Sequence, residues 1–176
     1  MRRRASQLRD NRETALIKAA SCGNLEAVQM ILKTVPVVNA EKVEAFFAAG
    51  LMNRFPVLTY FLSIFNDKNP AKEPQRKTLL HEAAGLGNIQ TFILVFEQCQ
   101  DRNPRDRLGN CPLHQAVLFG QLELVKWIVT QVPESVGVIN IQGRSPLDLA
   151  RVNPYRNSNS DAIVEALSQF PFERPE

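Results

Sequence analysis

The side chains best suited to metal ligation, thiolate chemistry or imidazole acid–base work are His81, His114, Cys22, Cys99 and Cys111. A structural zinc site needs Cys and His clustered at short, paired spacings. A general base needs a nucleophile or a transferable proton within hydrogen-bond reach. Neither pattern occurs: there is no CxxC pair, and no Cys/His cluster has ligand spacing. The odd cysteine count argues against a disulfide framework and fits a reducing compartment. A cysteine is reactive only where its pKa is lowered. Cys99 follows an apolar helical run and Cys111 occupies a helix-cap position, so both are expected to be buried or partly buried. There is no Gly-rich phosphate loop, GxSxG or HExxH. Pro104-Arg105-Asp106 is similar to a kinase catalytic loop, but the downstream Asn and the DFG are absent. The residues therefore predict no catalysis, no metal and no cofactor.

The elements that hold these residues come from an ordinary globular composition. Of 176 residues, 44% are hydrophobic and 22% charged, which excludes wholesale disorder. Lys plus Arg is 21 against 18 for Asp plus Glu, a net charge of +3 that demands neither nucleic acid nor a membrane surface. A compact domain of this size buries roughly 70% of its unfolded surface. No targeting segment stands out. The Arg-rich stretch Met1–Arg12 lacks the apolar run of a secretory signal and reads as a solvated terminus. Within it, Arg2-Arg3-Arg4-Ala5-Ser6 is similar to a basophilic kinase site. Phe46–Phe65 comes nearest to a membrane span, but Asn53, Arg54 and Pro56 interrupt it, so it reads as two buried helices with a turn between them.

The chain repeats itself. Thr14-Ala15-Leu16-Ile17-Lys18-Ala19-Ala20-Ser21-Cys22-Gly23-Asn24 is matched by Thr78-Leu79-Leu80-His81-Glu82-Ala83-Ala84-Gly85-Leu86-Gly87-Asn88. It is matched again by Cys111-Pro112-Leu113-His114-Gln115-Ala116-Val117-Leu118-Phe119-Gly120-Gln121. Gly87 and Gly120 are 33 residues apart, and Gly23 and Gly87 are 64 apart, leaving room for a unit around Ala45–Asn53. A fifth start lies at Gly143–Ala150. Each unit predicts helix–turn–helix. Thr14, Thr78 and Ser145 stand where an N-cap accepts from free backbone N–H groups. Pro112 and Pro146 stand at the first helical position, where a missing N–H costs nothing. Glycine stops the first helix by taking the left-handed conformation. Apolar residues then recur at spacings of three and four, as in Leu122, Val125, Ile128 and Val129.

These units resemble ankyrin repeats, whose signature includes T-P-L-H-x-A with a period of 33. The fullest match is Asp106-x-x-Gly109-x-Cys111-Pro112-Leu113-His114-x-Ala116, and the resemblance runs from about Glu13 to Phe170. It implies an all-α fold, an ankyrin-repeat solenoid of stacked helix–turn–helix units with connecting hairpin-like loops. The expected organisation is a basic arm at 1–12, repeats at 13–40, 41–72, 73–105, 106–139 and 140–170, and a tail at 171–176. In that family the histidine of the motif bonds to its own cap and to the adjacent unit, which gives His81 and His114 a structural role. Three departures are expected to deform the stack. The second unit has Met52 in place of the helix-ending glycine. Linker 66–77 lacks the hairpin Asp and Gly and reads as an irregular loop. The fifth unit carries an excursion at Arg151–Ser160 before a second helix at about Asp161–Phe170.

The resemblance also implies a function: recognition of another protein on a concave face, by a monomer without catalysis, nucleic acid or membrane. The positions just before the helix-ending glycine read Ser21-Cys22, Gly50-Leu51, Gly85-Leu86, Leu118-Phe119 and Val152-Asn153. Leu51, Leu86, Leu118 and Phe119 are the expected apolar contacts, and Arg105, Arg107, Asn110, Gln142 and Arg144 the polar ones. Two readings of the apolar stripe stay open: an exposed patch for a partner, or side chains folded inward to fill gaps between helices. Trp127 is expected in the inter-repeat core. A second functional reading is the recognition or targeting part of a larger assembly, such as a ubiquitin-ligase-type adaptor or a bacterial effector that mimics a host scaffold. The cytoplasm is the expected compartment, with the nucleus or a host-cell cytosol for an effector.

Overall fold

The computed structural model describes residues 15–152 and 159–170; residues 1–14, with the Arg-rich stretch, Ser6 and the expected cap Thr14, residues 153–158 and residues 171–176 lie outside them. The chain divides into two compact units, Met1–Lys72 and Glu73–Glu176.

The first unit holds two helix pairs: α1 (15–22) with α2 (Leu25–Thr34), and α3 (Asn39–Leu51) with α4 (Phe55–Ile64). The α1–α2 turn follows from Gly23, whose φ of 81° continues the chain in the left-handed region that L side chains avoid. Asn24 then caps α2, its Oδ1 accepting from the Ala27 N–H at 2.9 Å. The α3–α4 turn has no glycine at that point. Asn53 takes the left-handed position with φ 56°, a conformation asparagine tolerates better than most. The Phe46–Phe65 stretch is thus cut into the end of α3, a turn and α4, and no helix among the described residues is long and apolar enough to cross a membrane. Its apolar residues form the unit's core instead. Phe46 is the hub, in edge-to-face contact with Phe47, Phe61 and Phe65 at centroid distances of 6.1, 6.4 and 5.5 Å.

The second unit holds three pairs: α5 (Leu79–Leu86) with α6 (Ile89–Gln98), α7 (Pro112–Leu118) with α8 (Leu122–Gln131), and α9 (Pro146–Val152) with α10 (Ser160–Ser168). A 3₁₀ turn, Pro133–Gly137, follows α8 and packs on it and on α9. The first helices lie side by side in the order α5, α7, α9. Small residues make this approach possible, since Ala83, Ala84 and Ala116 are fully buried. Of the second helices, α8 packs on α10. Trp127 of α8 stands edge-on to Phe92 and Phe96 of α6, at 5.6 and 5.0 Å, and joins the third repeat to the fourth. No single repeat encloses its apolar face, so stability comes from stacking on neighbours.

Candidate functional site

Three hairpin-like turns lead into the first helices of the second unit, at 73–77, 106–110 and 140–144, and one pattern of backbone bonds ties them together. The Arg107 N–H donates to the Gln75 carbonyl at 2.8 Å, and the Ile141 N–H donates to the Leu108 carbonyl at 3.0 Å. The middle hairpin is organised by Asp106, a buried carboxylate whose Oδ1 accepts from the N–H groups of Leu108 and Asn110 at 2.8 and 2.9 Å. Asn140 does the same in the last hairpin for Gln142 and Arg144. The expectation of an irregular loop at 66–77 holds for 66–71, which form bends without regular structure, and is corrected at 73–77, where a hairpin turn forms. Although it lacks Asp and Gly, Arg76 adopts φ 53°, the left-handed place that Gly109 and Gly143 hold at 72° and 71°. The hairpin register survives because the neighbouring hairpin supplies a backbone donor that a misfolded loop would leave unpaired.

The two histidines lock the hairpins to the helices. The Thr78 N–H donates to His81 Nδ1 at 3.1 Å, so that nitrogen is bare and the ring proton sits on Nε2, which donates to the Asn110 carbonyl at 3.0 Å. In the next repeat the Cys111 N–H donates to His114 Nδ1 at 3.2 Å, and His114 Nε2 donates to the Arg144 carbonyl at 3.2 Å. Each imidazole thus closes its own helix cap and reaches the next repeat. Burial lowers both pKa values, that of His114 to about 4. Cys111 Sγ lies 3.1 Å from His114 Nδ1, a separation at which cysteine nucleophiles are activated. Here burial pushes the thiol up to about 11, and the imidazole prefers to stay neutral, so the thiolate–imidazolium pair is disfavoured. Ser145 and Asp148 replace this pair in the last repeat: the Ser145 N–H and Oγ–H both donate to Asp148 Oδ2, at 2.9 and 2.8 Å.

The residues expected to meet a partner separate into three groups. Leu86 and Phe119 are open, at 61% and 55% exposure. The Phe119 ring lies over Gly85, where an added Cβ would come within 3.2 Å of Cδ2, so the phenyl occupies the space beside the residue that precedes Leu86 in the chain. Arg107, Gln142 and Arg144 are also exposed, on the hairpins. Leu51 and Leu118 are half-buried. Asn110 is buried and fully engaged: its Nδ2 donates to Asp106 Oδ2 at 3.2 Å, and its Oδ1 accepts from Asn140 Nδ2 at 2.9 Å. It is a brace between hairpins and is not available as a surface contact. Arg105 is exposed, but its Nη1 donates to the carbonyls of Gly109 and Ile139 at 3.0 and 3.1 Å, joining the last two hairpins. Of the flanking positions, Asn153 lies outside the described residues.

Leu51 was placed one position out of register. The Asn53 N–H donates to the Gly50 carbonyl, just as Gly87 N–H does to Ala84 and Gly120 N–H to Val117. The small pair of this repeat is therefore Ala49-Gly50, and the residue equivalent to Leu86 and Phe119 is Met52, 57% exposed. Sequence reasoning also missed Leu108 and Ile141, exposed apolar residues at the hairpin tips. Their position between the turn's Asp or Asn and its glycine, Leu108 in Asp106–Gly109 and Ile141 in Asn140–Gly143, was a usable signal, because tip residues have no core to enter.

A model of "Ankyrin repeats (3 copies)" matches residues 45–138. The chain is 35% identical over 83 residues to mouse Ankyrin repeat domain-containing protein 37, covering 47% of this chain and 51% of that protein. It is 29% identical over 93 residues to the human protein of that name, covering 53% of this chain and 58% of the other. A zebrafish Putative palmitoyltransferase ZDHHC13 is 26% identical over 151 residues, which is 84% of this chain and 23% of that protein. The chain thus spans little more than half the length of the first of these relatives, and a smaller part of the last.

Proposed function

The chain belongs to the ankyrin repeat family, whose repeats are generally protein–protein interaction modules without catalysis, and on that premise we propose that it binds a partner protein through the first-helix ends and hairpin tips of its second unit. The observation that carries this reading is the pair Leu86 and Phe119, two large apolar side chains left open at equivalent positions of adjacent repeats, with Phe119 lying over Gly85. An exposed apolar cluster costs solubility unless something covers it. The bracing matters to affinity, because a surface already fixed by His81, His114, Arg105 and Asn110 loses little conformational entropy on docking. The test is capture from a lysate of the source cells with wild-type and Phe119→Arg bait, both confirmed to melt at similar temperatures. A protein retained by the first and lost by the second supports the reading. Identical captures by both baits argue against it.

The coverage of the zebrafish protein favours a second reading, in which this chain acts as the recognition part of a larger assembly. Much of the chain corresponds to less than a quarter of that relative. Its mark would be co-purification of an enzyme with the partner, again abolished by Phe119→Arg.

A further inference from the structure

We infer that the hairpin edge of the second unit recognises an acidic peptide segment bearing apolar side chains. This rests on the protein-recognition reading and specifies its ligand. The charge on the edge is one-sided. Each of the three hairpins contributes cations: Arg76 and Lys77 from the first, Arg107 from the second and Arg144 from the third. None of these four side chains takes part in an ion pair among the described residues. Asp106, the carboxylate of the middle hairpin, is buried and accepts from Leu108, Asn110 N–H and Asn110 Nδ2, so it does not offset them. Within the hairpins Glu73 is the accessible carboxylate, one against four; Glu82 and Asp148, both half-buried, stand on the helices that follow, and Asp148 Oδ2 already accepts from Ser145.

Between the cations stand Leu108 at half exposure and Ile141 at 70% exposure. Cations without partners and apolar residues without cover thus share one backbone-linked edge. A purely apolar ligand would leave the cations desolvated and unpaired, which is costly. A nucleic acid would satisfy the cations but gain little from Leu108 and Ile141, the apolar side chains of these hairpins, which offer no flat ring for base stacking. A segment with carboxylates spaced among Leu or Phe side chains satisfies both sets of groups.

The test uses fluorescence anisotropy of the whole chain with three labelled synthetic peptides of equal length. One alternates Glu with Leu and Phe, one has Lys at each Glu, and one keeps Glu but has Ser at each apolar position. The acidic–apolar peptide should bind at least about tenfold more tightly than either control. Its affinity should fall about tenfold in the Arg107→Glu/Arg144→Glu variant and fall with added salt. The inference is overturned if the Lys peptide binds as well, if charge reversal changes nothing in a variant that still melts cooperatively, or if no peptide binds. Equal binding by the Ser peptide or by a single-stranded RNA also overturns it, since that is generic polyanion attraction. A partner captured by wild type, lost with Phe119→Arg and indifferent to charge reversal overturns the acidic class alone. Loss of that capture difference as well overturns the parent reading.

Discussion

The Gln121 side chain crosses over Gly87 and donates its Nε2–H to the carbonyl of Gly85 at 2.9 Å. Gln121 stands at the N-terminus of α8 but makes no side-chain bond to that helix; it serves the preceding repeat. A Cβ on Gly87 would lie 2.7 Å from the Gln121 Cδ, and the φ of 69° is itself adverse to L residues. Gly87→Ala should therefore cost at least about 1–2 kcal/mol from the backbone alone, read as a lower chemical-denaturation midpoint. Because part of the additional cost is collision with Gln121, Gly87→Ala combined with Gln121→Ala should be less destabilised than the two single effects summed. Strict additivity would show that the two residues do not touch in solution.

Arg76 offers the opposite experiment. Its left-handed φ of 53° carries a side chain that the equivalent glycines of the later hairpins lack. Relief of roughly 1–2 kcal/mol of strain competes with the extra entropy of an unfolded glycine, roughly 0.5–1 kcal/mol. Arg76→Gly should consequently stabilise the protein by about 0.5–1 kcal/mol in urea melts. A loss of stability would mean that the Arg76 side chain contributes contacts larger than its strain.

The histidines give the fold a defined acid response. Both bind a proton less readily when folded than when unfolded, His114 down to about 4 from an ordinary 6.5. Above about pH 6.5 both states are neutral and stability is full. As pH falls below 6.5, the unfolded chain takes up the protons first. His114 then withdraws on the order of 3 kcal/mol by pH 4, where its loss levels off. His114→Gln should flatten the stability-against-pH curve between pH 6.5 and 4.5 relative to wild type. Parallel curves would show that this ring is not the titrating group.

The three cysteines should differ sharply in alkylation. Cys22 is exposed, whereas Cys99 and Cys111 are buried and the Cys111 thiol is pushed up to about 11. At pH 8 in native buffer, iodoacetamide should modify Cys22 rapidly and leave Cys111 untouched, while denaturant should open all three; peptide mass spectrometry reads the sites. Rapid native labelling of Cys111 would show that the fourth repeat opens readily.

The repeats themselves were legible because their signals are local. A cap residue, a histidine three positions on, a small pair and a glycine must recur together for a first helix to fit its neighbour, and they do at 78–87 and 111–120. The register of the second repeat was not legible, because asparagine can take the left-handed turn and Asn53 does so one residue after Met52. Counting from a missing glycine therefore advanced Leu51 into a place that Met52 occupies. The first hairpin was obscured for the same reason: Arg76 holds a conformation that no composition rule assigns to arginine, in a turn whose Gln75 carbonyl accepts from the Arg107 N–H of the next hairpin. Burial of Asn110 was likewise hidden. A polar residue at a hairpin reads as a contact until its partners, Asp106 and Asn140, are seen on either side.

The fastenings between repeats share one property. Gln121 donates to the carbonyl of Gly85, Asn159 to that of Gly120, and Arg54 to that of Ser21. His81 and His114 donate to the carbonyls of Asn110 and Arg144. In every one of these a side chain of one repeat holds the main chain of another, and a main-chain carbonyl is present whatever residue stands there. Asn140 to Asn110 is the exception, a bond that needs the right side chain at both ends. Such joints tolerate change at the accepting position, and the exposed residues of each unit can drift toward a new ligand while they stay closed; the packing of Trp127 on Phe92 and Phe96, and of Gln121 over Gly87, is where neighbouring repeats must still match.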